Sequence, residues 1–293
     1  MRIILHPGAH CTDEGRLVKC LLSNAGLFLP RGVVVPPPGR YRQLLPSVLS
    51  RLEDADPSED ARDVMYDFLI EEKPDGVERV LLSHENLFCI PKLAVSGGQF
   101  YRRAERRLRA AARLFEGDEV ELFLAIRNPA SLLPALYRAT PYESVEELTG
   151  GVDPRLLRWS DLITRIRKAV PGMPITVWCN EDSPLLWAEI IRAMAGLVPN
   201  EKITGGFTLL SEIMSQKGMK RFRNYLADHP GISEAEKRLV MVAFLEEFGV
   251  DDAMEEELDL PGWTDALVDE LTEIYDADTL RIADIPGVRL MMP

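Results

Sequence analysis

Four short apolar runs, each closing on polar side chains, constrain this chain most. Ile3 to Leu5 runs into His6-Pro7-Gly8, and Arg79-Val80-Leu81-Leu82 into Ser83-His84-Glu85-Asn86. Val120 to Ile126 runs into Arg127-Asn128-Pro129, and Ile175 to Cys179 into Asn180-Glu181. Runs this short, without polar alternation, suit strands buried on both faces. Between them lie segments with helical spacing. These are Arg16 to Asn24, stopped by Gly26; 41–73, broken by the acidic Glu53 to Asp60; 100–115; Leu156 to Val170, closed by Pro171-Gly172; and Pro184 to Leu197. Strand alternating with helix over 200 residues predicts an α/β fold, a mostly parallel sheet covered by helices in three layers. Val33-Val34-Val35 meets Pro36-Pro37-Pro38, which ends any regular element. Residues 208–280 carry helical patterns and no strand pattern. The expected organisation is a single α/β domain, with 1–200 as the sheet core and 201–293 as a mainly helical cap or extension.

Charge narrows the function classes. The 293 residues carry a net charge of -13, and the pI is about 4.9. Such a surface repels nucleic acid and anionic membranes, so neither is an expected partner. An anionic ligand would need a local basic pocket. Arginines 102, 103, 106, 107, 109 and 113 do not share one helix face and are expected to be solvated. Cys11, Cys20, Cys89 and Cys179 form no C-x-x-C pair and read as free thiols of a reducing compartment. The apolar run after Arg2 is too short for a signal-peptide core, and cytoplasmic residence is expected. The spacing of His6, His10, Cys11 and His84 matches no zinc pattern, so no metal is expected.

Open parallel sheets bind ligands at the carboxyl ends of their strands, where all four polar closures fall. The first is long: His6-Pro7-Gly8-Ala9-His10-Cys11-Thr12-Asp13-Glu14-Gly15 before the helix. A phosphate-cradling loop needs small residues, so that backbone N–H groups close on oxygen, and a cation. Gly8 stands where such a loop starts. The Walker pattern fails because Asp13, Glu14 and Gly15 fill its last three positions.

This loop, followed by Leu17 and Leu21, resembles that of the PAPS-dependent sulfotransferases, which have a P-loop-type fold. It is closest to an alphaproteobacterial branch whose loop reads roughly G-A-H-K-T-G-T-T. Leu29-Pro30-Arg31-Gly32-Val33, Leu82-Ser83-His84-Glu85-Asn86-Leu87 and Ala125-Ile126-Arg127-Asn128-Pro129 with Tyr137 resemble successive segments of that family. So do Ile175 to Asp182, Tyr275 to Asp278 and Pro286-Gly287-Val288, so the likeness spans nearly the whole chain. It implies sulfuryl transfer from PAPS to a hydroxyl or amine of an unnamed small-molecule acceptor. Gly8, Ala9, His10, Cys11 and Thr12 would line the donor loop. Arg16, Lys19 or His10 would swing to the phosphates, and Arg127 with Ser131 would hold the 3′-phosphate of PAPS or of the product 3′,5′-ADP. Glu85 or His84 would serve as base.

The departures fall on the residues that do the work. Cys11 replaces the family lysine, Asp13 the loop glycine, Glu14 and Gly15 two threonines, and Ala135 a serine expected eight residues past Arg127. Losing one charge-stabilising donor costs roughly 100- to 1000-fold in rate. Thr12 is expected as an N-cap, with Asp13 and Glu14 in the first helical turn, where carboxylates satisfy N–H groups themselves. Two readings follow: a sulfotransferase-like enzyme with an impaired donor site, or a non-catalytic relative that binds a small molecule or a protein.

Overall fold

In the computed structural model, residues 1–293 are described except 71–75, 255–257 and 259. Six parallel strands form the sheet: β1 Arg2–His6, β2 Val33–Val34, β3 Arg79–Ser83, β4 Glu119–Ile126, β5 Ile175–Cys179 and β6 Val288–Met291. Their spatial order is β2-β3-β1-β4-β5-β6. β1 lies centrally, with Leu5 beside Leu82 of β3 and Leu122 of β4. Four of these strands are the apolar runs of the sequence. β2 and β6 are additions at the two edges. Two residues of Val33-Val34-Val35 pair with β3 before the prolines end the strand. β6 returns the C-terminus to the sheet, so the last residues are not part of the helical region.

The larger helices are α1 Arg16–Ser23, α2 Leu44–Arg51, α3 Ala61–Leu69, α4 Ala104–Leu114, α5 Pro129–Arg138, α6 Trp159–Ala169, α7 Ser183–Ala195, α8 Thr208–Ile213, α9 Gln216–Asp228, α10 Glu234–Phe248 and α11 Asp265–Ala283. The stretch read as one broken helix over 41–73 is α2 and α3, with 71–73 outside the described residues. Leu17 and Leu21 of α1 pack with Leu186, Trp187 and Ile190 of α7 on one sheet face, against Ile4 and Phe123. The other face takes Leu45, Leu69, Leu108, Leu132 and Ile166 from α2 to α6, against Ile3, Leu5 and Leu124. α8 to α10 enclose a smaller core of Leu210, Met214, Met219, Phe222 and Met241. α11 docks beside α6 through Asp278, which is 2% exposed. Its carboxylate accepts from Ser160 N at 3.0 Å and from the Ser160 hydroxyl, capping α6 from another element.

This arrangement fixes where a ligand can be met. The chain leaves β1 toward α1 on one face and leaves β4 toward α5 on the other. Neighbouring connections that part in this way open a crevice at the carboxyl ends of the strands.

Candidate functional site at the strand ends

The loop from Pro7 to Gly15 lies between β1 and α1. Ala9 N donates to Ala125 O of β4 at 3.2 Å, tying the loop to the neighbouring strand. Gly8 and Gly15 take left-handed φ of 64° and 76°, and so do the non-glycines Cys11 (59°) and Glu14 (49°). Helix α1 therefore begins only at Arg16, and Asp13 and Glu14 precede its first turn rather than occupying it. Thr12 is not its N-cap; its hydroxyl donates to Ala9 O at 2.7 Å. Asp13 does the capping, since its Oδ2 accepts from Leu17 N at 2.9 Å. Thr12 closes a turn back on Ala9, and among the described residues no acceptor meets the N–H groups of Cys11, Asp13, Glu14 or Gly15.

Three histidines pack at the loop, His6 and His84 beneath it and His10 within it. His10 is 1% exposed. Its N–H donates to Tyr101 Oη at 2.9 Å, so that hydroxyl donates to Nδ1 at 3.0 Å, and Nε2–H donates to Asn86 Oδ1 at 3.1 Å. With both ring nitrogens engaged and the ring stacked on Tyr101, His10 anchors the loop. Burial holds it below the usual histidine range, so it supplies no cation. Tyr101, itself at φ 47°, was not singled out in the sequence. No spacing marks it, because its role arises where the short antiparallel hairpin of Val95–Ser96 and Gln99–Phe100, just before α4, meets the loop.

His84 is buried, with Nδ1 accepting from Asn86 N at 3.3 Å and the ring also facing the Arg42 carbonyl. Burial, then the charge of Arg42, lowers its pKa to about 4. A histidine engaged in this way has no free nitrogen for an acceptor proton. Glu85, in contrast, is exposed at the end of β3. His6 holds Ser83 Oγ at 3.0 Å through Nδ1 and stacks on Trp178. Its Nε2 is buried and unpartnered. A Cβ on Gly8 would stand 3.7 Å from that nitrogen, so the imidazole faces the floor of the loop.

Arg127 and Arg16 are engaged, and among the described residues the Lys19 side chain is not. Arg127 Nη1 donates to Cys11 O, and Nε to Ser131 Oγ at 3.0 Å, so the fold brings these two candidates together with the loop. Arg16 pairs with Glu14 at 2.8 Å and with Glu212 of α8 at 3.0 Å. Lys19 is exposed and lines a cavity of about 390 Å³ with Arg16, Thr204 and Glu212. Burial pushes the Cys11 thiol up, against the smaller opposing pull of Arg127, so it is a poor nucleophile. Among the described residues, no group of three or more His, Cys, Asp or Glu side chains is placed to hold a metal ion.

The residues present do not fit a phosphosulfate in the loop. The α1 entry already holds a carboxylate, position 11 has no ammonium, and Arg127 meets the loop's own carbonyl. Of the six arginines around α4, Arg102, Arg103, Arg106 and Arg109 are exposed as expected, while Arg107 is buried and Arg113 half-buried. Arg103, Arg106 and Arg107 surround Glu53, whose side chain is 0% exposed, and Arg113 pairs with Asp56. They fasten α4 to the 52–56 segment, with Arg103 and Arg106 still exposed to solvent.

Fold and site together define a three-layer α/β protein with a loop-and-arginine crevice at a topological switch point. No family model, curated protein or solved structure matches the chain. Among the described residues, no helix is long and apolar enough to cross a membrane.

Proposed function

We propose that the chain is a cytoplasmic relative of the PAPS-dependent sulfotransferases whose donor loop is closed on its own carboxylate. The crevice then binds a small ligand without transferring a sulfuryl group. The ancestry rests on the likeness of segments along the chain, with the loop between β1 and α1, Arg127 beside Ser131, and S-x-E-N at the end of β3. The loss of transfer rests on one observation: Asp13 Oδ2 accepts from Leu17 N. The helix dipole and its free N–H groups are the main attraction that such a loop offers an anion. A carboxylate seated there removes much of it and repels a phosphate.

Calorimetry with 3′,5′-ADP tests this. The native protein is expected to bind nothing at millimolar nucleotide. Asp13→Gly combined with Cys11→Lys should bind at least tenfold more tightly than the native chain. Threonines are left out of that graft, because positions 14 and 15 have φ of 49° and 76°, which β-branched residues avoid. Micromolar binding by the native protein, lost in Arg127→Ala, would restore the enzyme reading, with Glu85 as base. A folded double variant that gains nothing would remove the family likeness from the loop.

A further inference from the structure

We infer that Arg42 is the anion-binding residue of this crevice, and that the ligand docks a carboxylate, phosphate or sulfate group on its guanidinium. The inference rests on the crevice being a ligand site and is independent of the sulfotransferase ancestry. Arg42 follows a single helical turn, Pro38–Tyr41. Its Nε and Nη2 donate to Ser83 O at 3.3 and 3.2 Å. The Tyr41 hydroxyl donates to the same carbonyl at 2.8 Å and accepts from Ser83 N at 3.0 Å. The guanidinium is thus fixed at the carboxyl end of β3 by one edge. The Tyr41 hydroxyl also lies within hydrogen-bond reach of the guanidinium, and the Nη1–Nη2 edge presents the fork that suits a bidentate oxyanion.

Its surroundings lack a counter-ion. Among the described residues, no carboxylate lies within ion-pair distance of Arg42, whereas Arg16, Arg103, Arg106, Arg107, Arg113 and Arg165 each have one. Arg42 is half-buried, and its charge depresses both His6 and His84. It therefore acts into the crevice and not only outward to solvent. A partly desolvated cation without a counter-ion is costly unless a ligand supplies the charge. Ser83 joins this guanidinium to a second unmatched group, since its Oγ meets Nδ1 of His6, whose Nε2 has no partner.

The sequence carries the same asymmetry. From Arg16 to Leu52 there are 37 residues with six lysines and arginines and no acid, in a chain of net charge -13. This run supplies both α1 and the Arg42 corner, so the crevice is walled by the least acidic segment of an acidic protein.

The probes are sodium acetate, phosphate and sulfate, titrated at constant ionic strength with chloride as balance. Readouts are thermal shift and NMR of the Arg42 Nε–H and His84 ring signals. A saturable response is expected for at least one probe, with the His84 pKa rising from about 4 as the anion offsets Arg42. Affinity should fall tenfold or more in Arg42→Ala, fall partly in Arg42→Lys, which keeps the charge but not the fork, and hold in Arg109→Ala. Preference for acetate assigns a carboxylate ligand; preference for phosphate or sulfate assigns a tetrahedral oxyanion. No saturable response in the native protein, or equal affinity in a folded Arg42 variant, overturns the inference. The 3′,5′-ADP measurement judges the ancestry separately.

Discussion

At Gly218 an added Cβ would stand 2.3 Å from Phe248 Cβ and 2.8 Å from its Cγ. Within Lys217-Gly218-Met219-Lys220-Arg221, this glycine lies in the first turn of α9, where Ser215 caps it. It is there so that α9 and α10 can approach closely. Gly218→Ala should destabilise the protein by about 1–3 kcal/mol, as overpacking does. Gly26→Ala, with nothing within 4 Å of the new methyl, should be neutral or stabilising by about 0.4–1 kcal/mol. Urea denaturation of both variants checks the contrast; a near-neutral Gly218→Ala would mean that the helices can part without cost. The residue scale is also where the sequence was least legible. Arg127 and Ser131 stand out by their place after an apolar run, and they do meet. Asp13 reads as an acid at a helix start, but only the fold shows that it bonds Leu17 N from outside the helix. Tyr101 and Arg42 carry no local signature, because each owes its role to a partner at least 41 residues away.

Among elements, periodicity served well where burial is two-sided. β1, β3, β4 and β5 coincide with the four apolar runs because central parallel strands are covered on both faces and are mostly apolar, with Glu121 of β4 and Thr176 of β5 as the polar exceptions inside them. The edges were missed for the matching reason. β2 has two residues, and β6 has one buried side chain in four, so neither leaves a pattern long enough to read. The junction of α4 with the segment after α2 depends on charge rather than pattern. Glu53 is enclosed by Arg103 at 2.9 Å, Arg106 at 3.2 Å and Arg107 at 3.1 Å. Removing Glu53 leaves the buried Arg107 without its carboxylate, while Arg103 and Arg106, at 46% and 47% exposure, turn back to water. Glu53→Ala should cost about 1.5–3 kcal/mol, the range for hydrogen bonds to a charged group, while Asp54→Ala, at an 81% exposed side chain, should cost at most about 1 kcal/mol. Chemical denaturation of the two variants decides; similar small losses would show that the cluster is screened by solvent.

Over the whole molecule, two effects of pH oppose each other. Lowering the pH from 7 toward the pI of about 4.9 reduces the net charge of -13 and with it the self-repulsion of the folded state. His6, His10 and His84 act the other way. Burial is the largest cause of the lowered pKa at each, so the unfolded chain binds protons that the folded chain refuses. Stability from such groups is complete above the unfolded histidine pKa near 6.5 and declines as pH falls from there toward the folded value. For His84 that window runs from 6.5 to about 4. Each histidine that stays neutral costs about 1.4 kcal/mol per pH unit within its window. His6 and His10, lowered in the same direction by burial, add to this loss. The melting temperature should therefore fall between pH 6.5 and 5 although the molecule is nearing neutrality, and added chloride should not restore it. His84→Asn, which keeps a polar group under the loop without a titrating ring, should make that fall shallower. A melting temperature that rises toward the pI would place protons on these rings in the folded state. The neutral layer under the loop would then be wrong, and a charged imidazole beneath Gly8 would give the crevice the cation that position 11 lacks.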